Sequence, residues 1–154
     1  MAGSLKDVQT GEVAVGARGD ILRSSAIGSC VVVSLYSPRE QVGGQAHIML
    51  PGRSLKDDNP LKLRYCLDAV DAVLGLMALS GSLPQELEAC LVGAGNVLKR
   101  PEDTTASNNL AAVESILTEK GIMVRARSVG GMERRSVRFD IARACVFFYC
   151  GRRA

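Results

Sequence analysis

The chain has 154 residues, 47% of them hydrophobic and 4% aromatic, with a net charge of +3. That length suits one domain with a true core, so residues 1–154 are expected to form a single unit. No run approaches the roughly 20 apolar residues of a membrane span, and the segment 1–7 lacks the apolar stretch of a secretory signal, so a cytoplasmic protein without membrane insertion is expected.

In chain order, Glu12 to Ala17 reads as a first strand, and Arg18-Gly19 turn it toward the short element Asp20-Ile21-Leu22 that leads to Ser24. Gly28 to Tyr36 is β-branched and apolar, and Gln41 to Leu50 forms the second arm of a hairpin. Pro38 suits the second position of a type I turn. With Ser37–Glu40 as the loop, Tyr36 faces Gln41, and Cys30 falls directly opposite His47, with Cβ atoms about 4.5–5.5 Å apart. Pro51 to Asp58 is a polar loop. Asn59 offers an N-cap and Pro60 a first turn for a helix running to about Ser80. Its inward stripe is Leu63, Cys66, Leu67, Val70, Val73, Leu74 and Met77, with Arg64, Asp68, Asp71 and Gly75 on the other side. Gly81 ends it.

Leu87 to Val92 is a strand entering the loop Gly93–Asn96, whose Gly-x-Gly lacks the spacing and the trailing Lys of a phosphate-binding loop. Ser107 caps a second helix, with Leu110, Val113, Ile116 and Leu117 inward and Gly121 as its stop. Ile122, Val124 and Ala126 alternate with Arg125 and Arg127 as a half-buried strand. Gly130-Gly131 turn the chain, Val137, Phe139 and Ile141 alternate with Arg138 and Asp140, and Ala144 to Cys150 forms a mostly apolar last strand. Strands with two inserted helices make the class α+β.

The five cysteines are scattered without a Cys-x-x-Cys pair, and His47 is the one histidine, so neither a disulfide framework nor a structural metal is expected. Cys66, Cys90 and Cys145 read as core, and Cys150 is assigned no role. Charge is unevenly spread: residues 120–154 hold nine Lys/Arg against Glu133 and Asp140, a balance of +7, which leaves −4 for the rest. Such a surface suits an acidic partner or is simply a solvated face. The run Phe147-Phe148-Tyr149 reads as buried, which argues against a base-stacking platform and hence against nucleic acid.

Asp20 to Ser24, the run Ile27-Gly28-Ser29-Cys30-Val31-Val32-Val33, and Gly43-Gly44-Gln45-Ala46-His47-Ile48-Met49-Leu50-Pro51 together resemble the CheD family of chemoreceptor glutamine deamidases. The Gly-Ser-Cys and His-x-Met-Leu-Pro combination is specific, and Gly121, Gly130-Gly131, Arg135 and Val137–Asp140 extend the likeness over most of the chain. The resemblance implies a layered α-β-β-α sandwich of mostly antiparallel sheets with two main helices. It implies a cysteine-dependent amidohydrolase that converts side-chain glutamine to glutamate on chemoreceptor cytoplasmic helices, without cofactor or metal, and a CheC-type phosphatase as a further partner.

Under that reading Cys30 is the nucleophile and His47 the general base. Ser24, at the family's threonine position, orients the imidazole, and N–H groups at Gly28 and Ser29 form the oxyanion site. Departures fall at Gly93–Asn96, at Thr105–Asn109, where the family's arginine is missing, and at Met132. Two other readings use the same residues: a non-catalytic adaptor for receptor or phosphatase, and a thiol methylesterase or transglutaminase.

Overall fold

The computed structural model describes residues 3–151; Arg152 and Arg153 of the basic C-terminal region lie outside them. Among the described residues, nine strands form two sheets. The first is four-stranded in the order β1-β3-β8-β9 and the second five-stranded in the order β2-β5-β4-β6-β7. The strands are β1 (Leu5–Asp7), β2 (Val13–Gly16), β3 (Ile21–Ile27), β4 (Val31–Ser37), β5 (Val42–Ile48), β6 (Glu88–Gly93), β7 (Met123–Val129), β8 (Arg135–Asp140) and β9 (Cys145–Cys150), and the helices are α1 (Cys66–Ala78) and α2 (Thr105–Glu119). Five neighbouring pairs are antiparallel, while β1·β3 and β6·β7 are parallel.

The class, the two sheets and the two main helices are as expected. Both helices lie against the five-stranded sheet, where Cys66, Val70, Val73, Met77, Val113 and Leu117 pack with Val31, Val33, Leu35, Ala46, Ile48 and Leu91. The layers of the described residues therefore run helices, five-stranded sheet, four-stranded sheet. Between the sheets, Leu22, Phe139 and Ile141 form one cluster, and Ile27, Val32, Val92 and Val137 another.

β5 is sandwiched on both sides, and its two glycines make that possible. A Cβ on Gly43 would lie 2.6 Å from the Phe139 ring, and one on Gly44 2.7 Å from Val73. Alternation along β5 thus sends residues 43, 45 and 47 toward the other sheet and 44, 46 and 48 toward α1.

The β4–β5 hairpin corrects the expected register by two. Val32, not Cys30, sits opposite His47, and Ser37 pairs with Val42. The loop is Pro38–Gln41, because Gln41 takes a left-handed φ of 56° and donates its N–H to the Ser37 carbonyl at 2.8 Å. A shift of two preserves the face. Cys30 therefore lies diagonal to His47, on the side facing the four-stranded sheet.

The helix expected from Pro60 is interrupted. Asn59 does accept from the Leu61 N–H at 2.9 Å, but Lys62–Arg64 form only a 3₁₀ turn and Tyr65 is extended. Met49 and Leu50 both donate to the Arg64 carbonyl and Cys66 donates to Leu50, so the end of the β5 arm claims this backbone before α1 starts. Asp68, expected outward, is buried with its carboxylate on Arg53 (3.1 Å) and the Ser54 N–H (2.7 Å). Asp103 rather than Ser107 opens α2, accepting from both the N–H and the hydroxyl of Thr105.

Two core assignments are corrected. Cys145 is exposed, and Phe147, Phe148 and Tyr149 are 41%, 48% and 38% exposed, because β9 is an edge strand whose outer face no helix covers. Ala126 is likewise exposed on the edge strand β7. No helix of the described residues is long and apolar enough to cross a membrane.

Candidate active site

The chain from Ile27 to Val31 crosses from one sheet to the other, leaving β3 and entering β4. Its carbonyls are tied back one by one. Gly28 accepts from the Gly95 N–H at 2.9 Å, Ser29 from the Asn109 amide at 3.0 Å, and Cys30 from the Ala94 N–H at 2.8 Å. The N–H groups of Gly28, Ser29 and Cys30 have no partner within the described residues. A loop with its carbonyls bound and its donors free presents those donors outward, as an anion site requires.

Gly93 permits this geometry: it has a φ of 125°, and a Cβ there would collide with the Cys30 carbonyl oxygen. The buried Arg135 donates to the Gly93 carbonyl at 3.0 Å and braces the same loop from β8. A cavity of about 260 Å³ opens on Gly28 and Ser29 and is walled by Gly95–Leu98, Asp103, Thr105 and Arg134. A larger cleft of about 410 Å³ lies between the edge strands, lined by Tyr36, Cys90, Arg127 and Phe148, and neither cavity is lined by Thr10, Cys30 or His47.

His47 is 2% exposed, and the turn joining β1 to β2 wraps it. Its Nδ1 lies 3.1 Å from the Val8 carbonyl, which can only accept, so Nδ1 carries the proton and Nε2 is the free base. Nε2 faces the Thr10 hydroxyl at 3.5 Å. Burial lowers the His47 pKa from its ordinary value, opposed by the Val8 hydrogen bond and the nearby Glu12 carboxylate. A neutral imidazole ready to accept a proton is the result.

Cys30 is half-buried among Ile27, Val32, Val92 and Val137. Burial pushes its thiol up, and the nearby Thr10 hydroxyl offsets part of that rise. Thr10 is thus the polar neighbour common to thiol and imidazole. Nothing in the sequence singled it out, since a hydroxyl in a turn has no periodicity to betray it.

Ser24 is 1% exposed and meets the imidazole indirectly rather than by a bond of its own. Its hydroxyl proton is shared between the Val8 carbonyl and Gln45 Oε1, each at 2.8 Å, and the Gln45 amide goes on to Ser34 at 3.0 Å. Ser24 thereby positions the carbonyl that fixes the ring. The second residue missed by sequence reasoning is Asn109, fully buried on α2. Its amide nitrogen donates to Ser29 (3.0 Å) and to Met49 (2.9 Å), tying the Cys30 loop to the strand that carries His47. No group of three or more potential metal ligands occurs among the described residues.

Fold and site together define an α+β two-sheet protein that sets a cysteine, a hydroxyl and a neutral histidine beside a loop of unpaired amides. The chain belongs to the CheD family: a sequence model described as CheD chemotactic sensory transduction matches residues 49–149. Cys30 and His47 precede that range and are covered by the longer matches to individual relatives. A probable chemoreceptor glutamine deamidase CheD of Chlorobium luteolum is 36% identical over 138 residues, covering 90% of this chain and 69% of the relative. The chemoreceptor glutamine deamidase CheD of Thermotoga maritima is 32% identical over 136 residues, covering 88% and 85%. Among solved structures, the Bacillus licheniformis hypothetical protein YfiH matches with a TM-score of 0.50 at 14% identity, over 75% of this chain and 49% of that one, which shows the fold alone.

Proposed function

We propose that this protein is a protein-glutamine deamidase that acts on cytoplasmic helices of chemoreceptors through a Cys30 thioester. The observation that carries the reading is the grouping of Cys30, Thr10 and a neutral His47 beside unpaired N–H groups, in a chain whose relatives are named for this activity. His47 Nε2 takes the thiol proton, and the thiolate attacks the side-chain carboxamide carbon of the glutamine. The negative oxygen of the tetrahedral intermediate lies against the N–H groups of the Gly28–Cys30 loop. Collapse breaks the C–N bond, and His47 gives its proton to the departing ammonia. Water, deprotonated by His47, then cleaves the thioester, leaving glutamate and a restored thiol.

Ser24 and Asn109 act as positioning residues, the first through Val8 and the second through Ser29. The test is to mix the protein with a chemoreceptor cytoplasmic fragment and map Gln-to-Glu conversion by peptide mass spectrometry, alongside Cys30→Ala and His47→Ala. Conversion by wild type alone supports the reading. Binding without conversion makes the protein an adaptor, incorporation of an added primary amine makes it a transglutaminase, and demethylation of methylated receptor makes it an esterase.

A further inference from the structure

We propose that the cleft between β7 and β9 is a regulatory site for a small aromatic monocarboxylate carrying a second polar oxygen, and that its occupancy is passed to His47 through a buried chain of hydrogen bonds. The regulation rests on the deamidase reading; the ligand site does not, and its evidence is the way the cleft is made. Val31, Val33 and Leu35 pack toward the helices, so Val32, Ser34 and Tyr36 face the other sheet. Register carries that face across neighbouring strands. At one level Val32 pairs with Val92, and Val137 of β8 closes on them as core. At the next, Ser34 pairs with Cys90 and Cys90 with Ala126, three small side chains in a row. Phe139, Val146 and Phe148 line the other side, and about 410 Å³ stays open between the two edge strands. Small-molecule sites span about 300–1,000 Å³.

The lining selects the occupant. Tyr36 and Phe139 meet edge to face, with centroids 6.2 Å apart and planes at 79°, and Phe148 stands half exposed beside them. An aromatic ring packs on such walls in offset or edge-on contact. At the rim Arg125 pairs with Glu88 at 3.4 Å, while Arg127 has no acidic partner among the described residues. Two guanidiniums and one carboxylate leave one positive charge, which a monoanion matches.

The floor supplies a second polar anchor. Ser34 is 3% exposed, its oxygen accepts from the Gln45 amide at 3.0 Å, and its own proton has no acceptor among the described residues. Buried hydroxyls are normally satisfied, so an acceptor oxygen within the cleft completes this one. From Ser34 to Ala126 is two strand spacings, about 9.5 Å, which a bicyclic hydroxyaryl carboxylate spans with its carboxylate at the Arg127 end.

Ser34 is also the outer end of a buried chain. Gln45 bonds Ser34 on one side and Ser24 at 2.8 Å on the other. Ser24 donates to the Val8 carbonyl at 2.8 Å, and the same carbonyl holds His47 Nδ1 at 3.1 Å. Hydrogen bonds in series polarise one another, so binding the Ser34 proton in the cleft alters the bond that orients the imidazole.

The experiment titrates 6-hydroxy-2-naphthoate into the untagged chain and follows two native reporters. Cys90 lines the cleft, and its iodoacetamide labelling is read by peptide mass spectrometry. His47 is the one histidine of the sequence, so its ring C–H NMR signal is unambiguous. Cys90 labelling should slow about tenfold at roughly ten times the half-saturating concentration, with the His47 signal moving along the same curve. 2-Naphthol, which lacks the carboxylate, and Arg127→Gln with the full probe should each weaken binding about five- to tenfold. Ser34→Ala should abolish the His47 shift. Circular dichroism checks its fold, and Arg127→Gln, an exposed change, tests the site even if Ser34→Ala does not fold.

Unprotected Cys90, or protection that Arg127→Gln leaves unchanged, overturns the site. A His47 signal that stays still on binding, or still moves in Ser34→Ala, overturns the link to the imidazole. Protection that grows with protein concentration in the absence of probe makes the cleft an interface between copies and likewise overturns the proposal. Neither reporter needs receptor, so the two readings fail separately: saturable binding without any Gln-to-Glu conversion sinks the deamidase and keeps the site, whereas conversion without binding does the reverse.

Discussion

Asn109 offers the sharpest test of how the site is held together, because the conservative substitution should be the damaging one. The side chain is wholly buried and donates to Ser29 and Met49, while its own Oδ1 has no partner. Two such bonds contribute about 0.5–1.5 kcal/mol each, and an unpaired buried acceptor costs about 1–3 kcal/mol. Asn109→Ala loses both bonds and strands two carbonyls, but it also removes the orphan oxygen. The expected net loss is about 1–3 kcal/mol.

Asn109→Asp has nearly the same shape and puts oxygens where two carbonyl oxygens already point. An ionised carboxylate there is both desolvated and repelled, so the loss at pH 7 should exceed about 4 kcal/mol. Protonation relieves it, because the neutral acid can donate to one carbonyl. The folded-state pKa of the introduced carboxyl is then raised above its unfolded value. Its penalty should therefore shrink as pH falls from 7 toward 5 and grow as pH rises. Urea denaturation of the two variants at both pH values reads this directly. Equal stability of Asn109→Asp and Asn109→Ala at pH 7, with no pH dependence between them, would refute the hydrogen-bond assignment.

Burial depresses the His47 pKa, so the unfolded chain binds more protons at this residue below about pH 6.5, and the residue's contribution to stability is present above that pH and lost as pH falls through the folded value. His47→Asn should flatten the stability slope between pH 7 and 5, as measured by urea midpoints. Gly44→Ala drives a Cβ to 2.7 Å from Val73 and 3.0 Å from Met77 Sδ, and should cost about 1–3 kcal/mol, part of which returns when Val73→Ala is added. Native-state labelling should modify exposed Cys145 and Cys150 first and Cys66 last, since Cys66 is fully buried and its thiol is pushed up to about 11. Ser24→Ala removes a buried hydroxyl from Val8 and Gln45. It should cost about 1–2 kcal/mol and slow Gln-to-Glu conversion less than Cys30→Ala, while Ser24→Thr should retain both properties.

Alternation and helical spacing determined a good deal by themselves. They placed the hairpin carrying Cys30 and His47, the α1 stripe from Cys66 to Met77 and the inward faces of α2 and β8, because side-chain direction along one element follows from its own backbone period. The same parity explains why a register wrong by two still put Cys30 and His47 on one face. What lies against that face was decided only by the tertiary structure. The turn that brings Val8 and Thr10 to the imidazole belongs to neither arm of the hairpin, and Asn109 reaches Ser29 and Met49 from positions 80 and 60 residues away. The same holds for β9, whose apolar run reads as core until the sheet order leaves it at an edge with one face open. Local periodicity sets where a side chain points; contacts between distant segments depend on loop closure and packing, which carry no signature in any one stretch of sequence.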